Sequence, residues 1–535
     1  MKMKKVFSIA LALIFAIGML AGCGGSSSEA AKNFSDTDEK LTLEWLGYAT
    51  NSGCSEGTDA ELLLEEKFNV EIKPLFYEAE KFNDKKTMLM AGGDIPDLVY
   101  ELDPVNVFND VDQDFIVEVP YETIEKYAPE YYAYMNEYAP AAWSYSRYMD
   151  ANWGVPNFNH YNGIAKVNAY RTDWLKAVGK EAPDTLEEMH DVVYAFVHDD
   201  PDGNGKDDTF GYAMGSTHYQ DFFMEFFGAY GILPFDWQEV DGEIVYGGLR
   251  EECTDVLATI AEWYKEGLIH PDYAVGIQMN TLITTNKVGY IPKASYQDES
   301  SPLSQINTLR QVVPEADYTF TSAPKGPDGL RGQRIWGLAC HVVSFGNTEQ
   351  YGVAVPRILK IIEGMFTDDA LYTELRLGKE GVHWTQGDKA NGTGMYPYEM
   401  TADYEEDSQQ RQAGLSVGFS GPSFFACVSP KKELYMENLT DSYRKWFEDY
   451  AAEDAGLTDV FYKVEIVPSA ADYLEDLRNK QMKLMSDIIQ GIKTADSYIP
   501  EFTELWNNGG GDIMLEEAKA QGDVLNSIYK DLGIK

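Results

Sequence analysis

The chain has 535 residues, more than a single hydrophobic core accommodates, so two or more domains are expected. Hydrophobic residues make up 44% of it, which excludes a disordered chain. The net charge of −45 repels phosphate backbones and excludes a nucleic-acid partner.

Residues 1–22 read as an export signal, with Lys2, Lys4 and Lys5 ahead of an apolar run from Val6 to Leu20. The run closes on Leu20-Ala21-Gly22-Cys23, a lipobox pattern that marks the Cys23 sulfur for diacylglycerol. Lipid at Cys23 would hold the protein on the extracellular face of a bacterial membrane. Residues 24–39 are polar and read as a flexible linker. No later apolar run is long enough to span a bilayer. Cys54, Cys253, Cys340 and Cys427 lie far apart with no CxxC spacing. Zinc and redox motifs are not indicated, and free thiols or one or two bridges both remain open.

From Leu41 strand and helix patterns alternate. LTLEWLGY, VEIKPLFY and DLVYEL read as strands, with helices at Asp59–Phe68 and Glu80–Met90 between them. This βαβαβ order predicts parallel strands with helices on their faces and a ligand site at the strands' carboxyl ends. Tyr127, Tyr131, Tyr134 and Tyr138 fall at near-helical spacing and read as packing residues. Trp153 heads a Trp-Gly-Val-Pro run before the next strand, roughly Ile164 to Tyr170.

The most informative stretch runs from Arg171 to Tyr212. A short helix, Asp173 to Val178, stops at Gly179, and a second starts at Thr185 with Glu188 three residues on, a capping box. Oxygen-bearing groups then alternate along a loop: Asp200, Asp202, Asn204, the carbonyl of Lys206 and Asp208. A hard cation takes about 6–8 oxygens, and alternation in a curling loop turns them inward, so calcium in a structural role is expected. The first five positions copy an EF-hand loop, but the twelfth is Gly211 where an EF-hand has a bidentate glutamate.

Further on, Phe222–Tyr230 reads as an aromatic core helix and Asp241-Gly242 as a hairpin turn. Glu251–Glu266 reads as a helix, with His270 as a local cap after it. Arg334-Ile335-Trp336-Gly337 begins a returning strand and Gln350–Phe366 a helix. The residues from Val467 onward are helical, interrupted at Gly509-Gly510-Gly511.

Arg171-Thr-Asp173-Trp174-Leu175, Pro183-Asp-Thr185-Leu-Glu-Glu188, the Asp200–Asp208 loop, the Glu-Trp-Tyr-Lys-Glu-Gly-Leu-Ile-His-Pro-Asp string ending at Asp272, and Gly378-Lys-Glu-Gly-Val-His-Trp384 occur in a consistent order. Together they resemble the solute-binding lipoproteins of carbohydrate ABC importers, in particular the large subgroup that includes the alginate-oligosaccharide binders. In the G-K-x-G pattern of that family, Asn286 stands for the first glycine, ahead of Lys287. Thr209 follows the last loop aspartate, where relatives often carry an acid.

The resemblance implies an α/β, two-lobed type II periplasmic-binding-protein-like fold. Each lobe would be a mixed sheet flanked by helices, with the ligand cleft between them. The implied first lobe is 40–160 plus about 335–400, and the second is 161–334 plus about 401–535. It further implies an oligosaccharide ligand, ABC permease subunits as partners, membrane contact through the lipid alone and a monomer. Expected ligand contacts are Trp45, Trp153, Tyr161, Arg171, Tyr290, Trp336, Arg376 and Trp384, because sugar faces stack on aromatic rings. Trp153 is expected near the hinge. Arg171, at a helix start among acids, also suits a structural ion pair. The acidic body favours a neutral sugar.

The rival classes are a surface carbohydrate-active enzyme and a peptide-binding or sensor protein of the same fold. With 88 acidic residues, carboxylate pairs discriminate nothing. The GxSxG at Gly414 to Gly418 lacks the strand and helix of a nucleophile elbow, so no enzyme is expected.

Overall fold

The computed structural model describes residues 34–49, 56–78, 81–158, 167–213, 218–294, 304–335, 339–387, 398–415, 444–445, 448–449, 456–462 and 466–534. Cys23, Tyr161 and Trp336 lie outside them, as do Cys54, Cys427 and most of the GxSxG.

The predicted βαβαβ unit forms β1 (Leu41–Ala49), α1 (Asp59–Phe68), β2 (Val70–Glu78), α2 (Phe82–Ala91) and β3 (Leu98–Glu101). Thr58 and Glu61 close a capping box that starts α1. β1 pairs in parallel with β2 and β3. Helix α3 (Pro104–Asp112) follows β3. The tyrosine-rich stretch forms two helices, Tyr121–Tyr127 and Pro129–Tyr138, because Pro129 can begin a helix but not continue one. β4 (Gly154–Phe158) then joins the sheet through a strand supplied much later, β10 (Ala339–Phe345), which runs antiparallel to both β3 and β4. The first lobe is built on this five-stranded sheet, ordered β2-β1-β3-β10-β4.

The second lobe centres on β5 (Asn168–Arg171), flanked by β8 (Tyr290–Ile291) and β9 (Tyr318–Thr321). Both neighbours run antiparallel to β5, so the ladder is not mixed as expected. Among the described residues, parallel character comes from single bridges at its margin, such as Phe210 with Val288 and Tyr212 with Ile269. The predicted helices after β5 are α4 (Thr172–Val178), ended by Gly179, and α5 (Leu186–His198). α5 opens on the Thr185–Glu188 capping box and buries Leu186, Met189, Val192, Val193 and Phe196. The hairpin β6 (Trp237–Val240) and β7 (Glu243–Tyr246) turns at Asp241-Gly242, both left-handed, as a two-residue loop requires. Helix α6 (Cys253–Lys265) follows, with Cys253 a buried free thiol.

Helix α7 (Tyr351–Thr367) contains Pro356, which has no amide hydrogen for the carbonyl of Gly352 four residues earlier. That carbonyl accepts instead from the Ser35 amide at 2.9 Å. The surrounding N-terminal residues are equally held. Phe34 is buried edge-on to Tyr351, and the Asp36 carboxylate bridges Arg357 at 3.0 Å and Lys360 at 2.6 Å. Residues 34–38, expected to be flexible linker, are therefore docked on the first lobe.

Helix α8 (Asp369–Leu377) and the hairpin β11 (Trp384–Gln386) with β12 (Tyr398–Met400) follow. Residues 398–415 stay with the first lobe, since Ala413 accepts the Ala60 amide. The chain finishes in α9 (Ala470–Ile489), α10 (Tyr498–Asn508) and α11 (Gly511–Asp531). α11 packs on both the β7 strand and the Pro140–Tyr145 turn, and Asp531 pairs with Arg147 at 3.0 Å. Among the described residues no helix is long and apolar enough to cross a membrane.

Candidate functional site between the lobes

The chain leaves the first sheet after Phe158 and enters the second at Val167. It returns between Ile335 and Ala339. Around these passages the lobes meet in a small apolar cluster of their own. The second lobe supplies Val167 and Phe320; the first supplies Tyr372 and Leu377 of α8, Trp384 of β11, and Tyr398, Met400 and Tyr404. Two features fix the Trp384 ring. Its indole N–H donates to the Gly378 carbonyl at 2.9 Å. The neighbouring His383 accepts the Lys379 amide through Nδ1 and faces Asp59 of α1 through Nε2 at 3.1 Å, which fastens the hairpin to the lobe. Arg376 joins the same cluster through the Tyr372 hydroxyl at 3.2 Å. Burial pushes the Tyr398 hydroxyl up to about 12, and nearby Arg376 pulls it back.

Polar groups line the adjoining end of the second sheet. Asn168 begins β5 and pairs across the ladder with Thr321, the last residue of β9. Its Oδ1 accepts the Lys293 amide at 3.3 Å and the Gln333 side-chain amide at 2.9 Å. Next along the chain, Arg334 is buried and donates from Nε to Asp236 at 2.6 Å. Arg478 stands 3.6 Å from the same carboxylate and 3.8 Å above the Tyr219 ring. Lys293 is ion-paired with Asp221. Burial, then the fields of Arg478, Arg334 and Lys293, hold His218 below the ordinary histidine value. The ring cluster at Val167 thus adjoins, from Asn168 on, a hydrogen-bonded network with several fixed charges.

Of the expected contacts, the structure brings Arg376 and Trp384 together, with Trp384 only 8% exposed in this conformation. Trp45 lies mid-strand in β1, is 0% exposed and belongs to the main core. Tyr290 is also buried, in a ring cluster 4.9 Å from Tyr170 and 5.7 Å from Tyr212. A core ring has no free face for a sugar, and alternation along a strand does not distinguish core from cleft when both sheet faces are covered. Trp153 precedes β4 at the end opposite the lobe passage, a strand length of roughly 17 Å away, and its indole donates to the Tyr148 carbonyl at 2.9 Å. It is not at the hinge.

Arg171 is 0% exposed on its side chain and forks onto Asp173 at 2.9 and 2.6 Å. Its remaining amino group donates to Asn286 at 2.7 Å. Asn286 has φ 60°, a left-handed position that asparagine tolerates, which accounts for its standing in a glycine's place. The sequence reading missed Asn168, Phe320, Thr321, Gln333, Tyr372 and Tyr398. Asn168 alone carried a signal, as a polar residue between Val167 and Ala169.

The oxygen-rich loop is described throughout. Asp200 accepts the amides of Asn204 and Gly205 at 3.1 and 3.0 Å, and Asn204 donates to Asp202 and Asp208. Asp208 is ion-paired with Lys287 at 2.6 Å, and that contact, then Asn204, holds its carboxyl below the usual range. The Thr209 hydroxyl turns away to the Phe196 carbonyl at 2.7 Å. At the twelfth position no side chain fits: a Cβ on Gly211 would stand 2.4 Å from Val193 Cγ1 and 2.8 Å from the Leu268 oxygen. Among the described residues no three His, Cys, Asp or Glu side chains are drawn together in a metal-holding arrangement. The donor chemistry is nonetheless all oxygen, which fits a hard cation.

Comparison with known proteins places this geometry. Over 90% of the chain superimposes on two solved structures. One is the ABC-transporter substrate-binding protein FusA of Streptococcus pneumoniae in complex with kestose (TM-score 0.60, 16% identity, 91% of this chain and 100% of that one). The other is the alginate-binding protein AlgQ2 without calcium ion (TM-score 0.59, 17% identity, 91% and 99%). The fold is the two-lobed, type II periplasmic-binding-protein-like fold. In sequence the chain is similar to lipoprotein LipO of Bacillus subtilis, 24% identical over 542 residues, covering 97% of this chain and 98% of LipO. It is also similar to the polygalacturonan/rhamnogalacturonan-binding protein YtcQ of the same organism, 22% identical over 544 residues, with 95% and 96% covered. No protein-family model matches the chain.

Proposed function

We propose that this protein captures an oligosaccharide between its lobes and delivers it to the permease subunits of an ABC importer, without chemistry on the sugar. The reading is carried by the aromatic cluster around Trp384 at the seam of two lobes. It is supported by likeness over 95% of the chain to a protein named for binding polygalacturonan and rhamnogalacturonan, and over half of it to a fructooligosaccharide substrate-binding protein. Trp384 and the polar floor belong to different lobes, so a sugar held by both stabilises the closed arrangement only while it is bound. Fixed donors and a stacked ring then select the solute.

In the same reading, lipid at Cys23 tethers a monomer to the extracellular face of the membrane, in keeping with the likeness to LipO. The loop takes calcium through Asp200, Asp202, Asn204, Asp208 and the Lys206 carbonyl. The ion would brace the loop between α5 and the second sheet and would take no part in ligand chemistry.

The test is calorimetric titration of the purified protein with a panel of neutral and uronic-acid oligosaccharides. Binding is expected for at least one, with the saccharide recovered intact. It should weaken by about tenfold or more in Trp384→Ala, the scale of losing a buried stacking ring. Cleavage of the sugar, or binding of peptides and no sugar, overturns the reading.

A further inference from the structure

We infer that Asn168, Gln333 and Thr321 form a hydroxyl-reading subsite at the base of the cleft, specific for a sugar hydroxyl or vicinal hydroxyl pair. The inference rests on the capture reading above and names the part of the ligand that this site would recognise.

The observation is a set of buried polar atoms with no hydrogen-bond partner: Nδ2 of Asn168, Oε1 of Gln333 and Oγ1 of Thr321. They sit side by side, since Thr321 is the cross-strand partner of Asn168 and Gln333 bonds to Asn168 directly. The amide orientations are determined. Asn168 Oδ1 accepts from a backbone N–H, that of Lys293, which can only donate, so the other atom of that amide is the NH2. Gln333 donates its own NH2 to the same oxygen, so its carbonyl is the unpaired end. The site therefore offers a spare donor, a spare acceptor and a hydroxyl that is either.

This pattern selects among ligand chemistries. A carboxylate only accepts and would leave the Gln333 oxygen unmet; an ammonium only donates and would leave the Asn168 NH2 unmet. A hydroxyl does both, and two neighbouring hydroxyls satisfy all three atoms.

The frame is rigid. The Gln333 carbonyl accepts the Leu457 amide at 2.8 Å, the Ile335 amide donates to the Leu457 carbonyl at 2.8 Å, and Arg334 between them is held by Asp236. Preset donors and acceptors of this kind discriminate strongly, because a ligand without the hydroxyl leaves them unpaired in the complex. The three atoms are covered in this conformation, with Val167 and Phe320 beside them packed toward Trp384. A ligand reaches them when the lobes part, which capture by closure requires.

The test uses the full-length protein and the tightest-binding oligosaccharide of the panel, titrated into the wild type, Thr321→Val and Gln333→Leu, with thermal unfolding of each. The expected result is affinity lowered by about tenfold or more in either variant. In Thr321→Val, which keeps side-chain shape and deletes an unpaired hydroxyl, Tm should hold or rise. A purely structural role would instead lower Tm and leave affinity alone. Affinity within about twofold of wild type in both variants overturns the subsite while leaving capture intact. If Gln333→Leu does not fold, Thr321→Val decides. A wild type that binds no saccharide overturns the capture reading itself, and the subsite with it.

Discussion

The Lys287 ammonium lies 2.6 Å from the Asp208 carboxylate, so the last acidic position of the oxygen-rich loop is already neutralised by a cation from outside the loop. A calcium ion in the loop must share Asp208 with Lys287 or displace it. Lys287→Met is therefore expected to bind calcium more tightly than the wild type, by about two- to fivefold, the scale of losing an exposed ion pair. The measurement is the rise of Tm with added calcium after chelator treatment. A ligand at a hundred times its Kd adds about 2.7 kcal/mol to stability. Equal calcium dependence in both proteins would remove Lys287 from the balance, and none in either would remove calcium from the loop.

A second cation has a different role. Lys86 of α2 is buried between Glu101 at 2.8 Å and Asp110 at 2.7 Å, both nearly inaccessible. Burial pushes the Glu101 carboxyl up, and the Lys86 charge pulls it back. Lys86→Met leaves two carboxylates without their counter-charge and is expected to cost about 3–5 kcal/mol at pH 7 in urea unfolding. The sign with pH follows from the raised carboxyl. A group whose folded pKa lies above its unfolded one contributes most below the unfolded value and loses that contribution as pH rises. The deficit of Lys86→Met should therefore be smaller at pH 5 than at pH 8, and Glu101→Gln added to it should restore part of the loss. A deficit independent of pH would mean that lost packing, not charge, is responsible.

Asp184 makes the opposite case. Lys325 at 2.8 Å, and Arg331 as well, hold its carboxyl below the ordinary value. Its contribution is present above the unfolded pKa of about 3.9 and is lost as pH falls through the folded value. The side chain is 57% exposed, so Asp184→Asn should cost less than about 1 kcal/mol at pH 7. The two proteins should converge in stability below about pH 3. A difference that persists there would point to a change in the start of α5 instead, since the Asp184 carbonyl also accepts the Lys325 amide at 2.8 Å.

Much of the frame was legible in the chain because it is set locally. The Thr185–Glu188 box, the Asp241-Gly242 turn and the alternation of Leu41–Phe68–Tyr77 are governed by neighbours within a few residues, and each element stands where its pattern puts it. What did not read out was which rings face a ligand. Trp45 and Tyr290 have the same composition signal as Trp384. Only the placement of distant segments, α8 and β11 against Val167 and Phe320, separates a seam from a core. Gly211 shows the same limit from the other side. The missing EF-hand glutamate was visible, but its cause, the approach of Val193 and Leu268 to that position, depends on how α5 and the segment after α6 pack.

If Cys23 carries lipid, as proposed, the docking of Phe34 to Asp38 places the tether on the five-stranded half. Only ten residues, 24–33, separate Cys23 from Phe34, a leash of about 36 Å at full stretch. With lipid at Cys23, as proposed, any pull from the bilayer passes through the Arg357 and Lys360 contacts into the five-stranded half. That half is then the stator. On the capture reading, trapping a guest then becomes a swing of the three-stranded half toward the half that the tether keeps near the membrane.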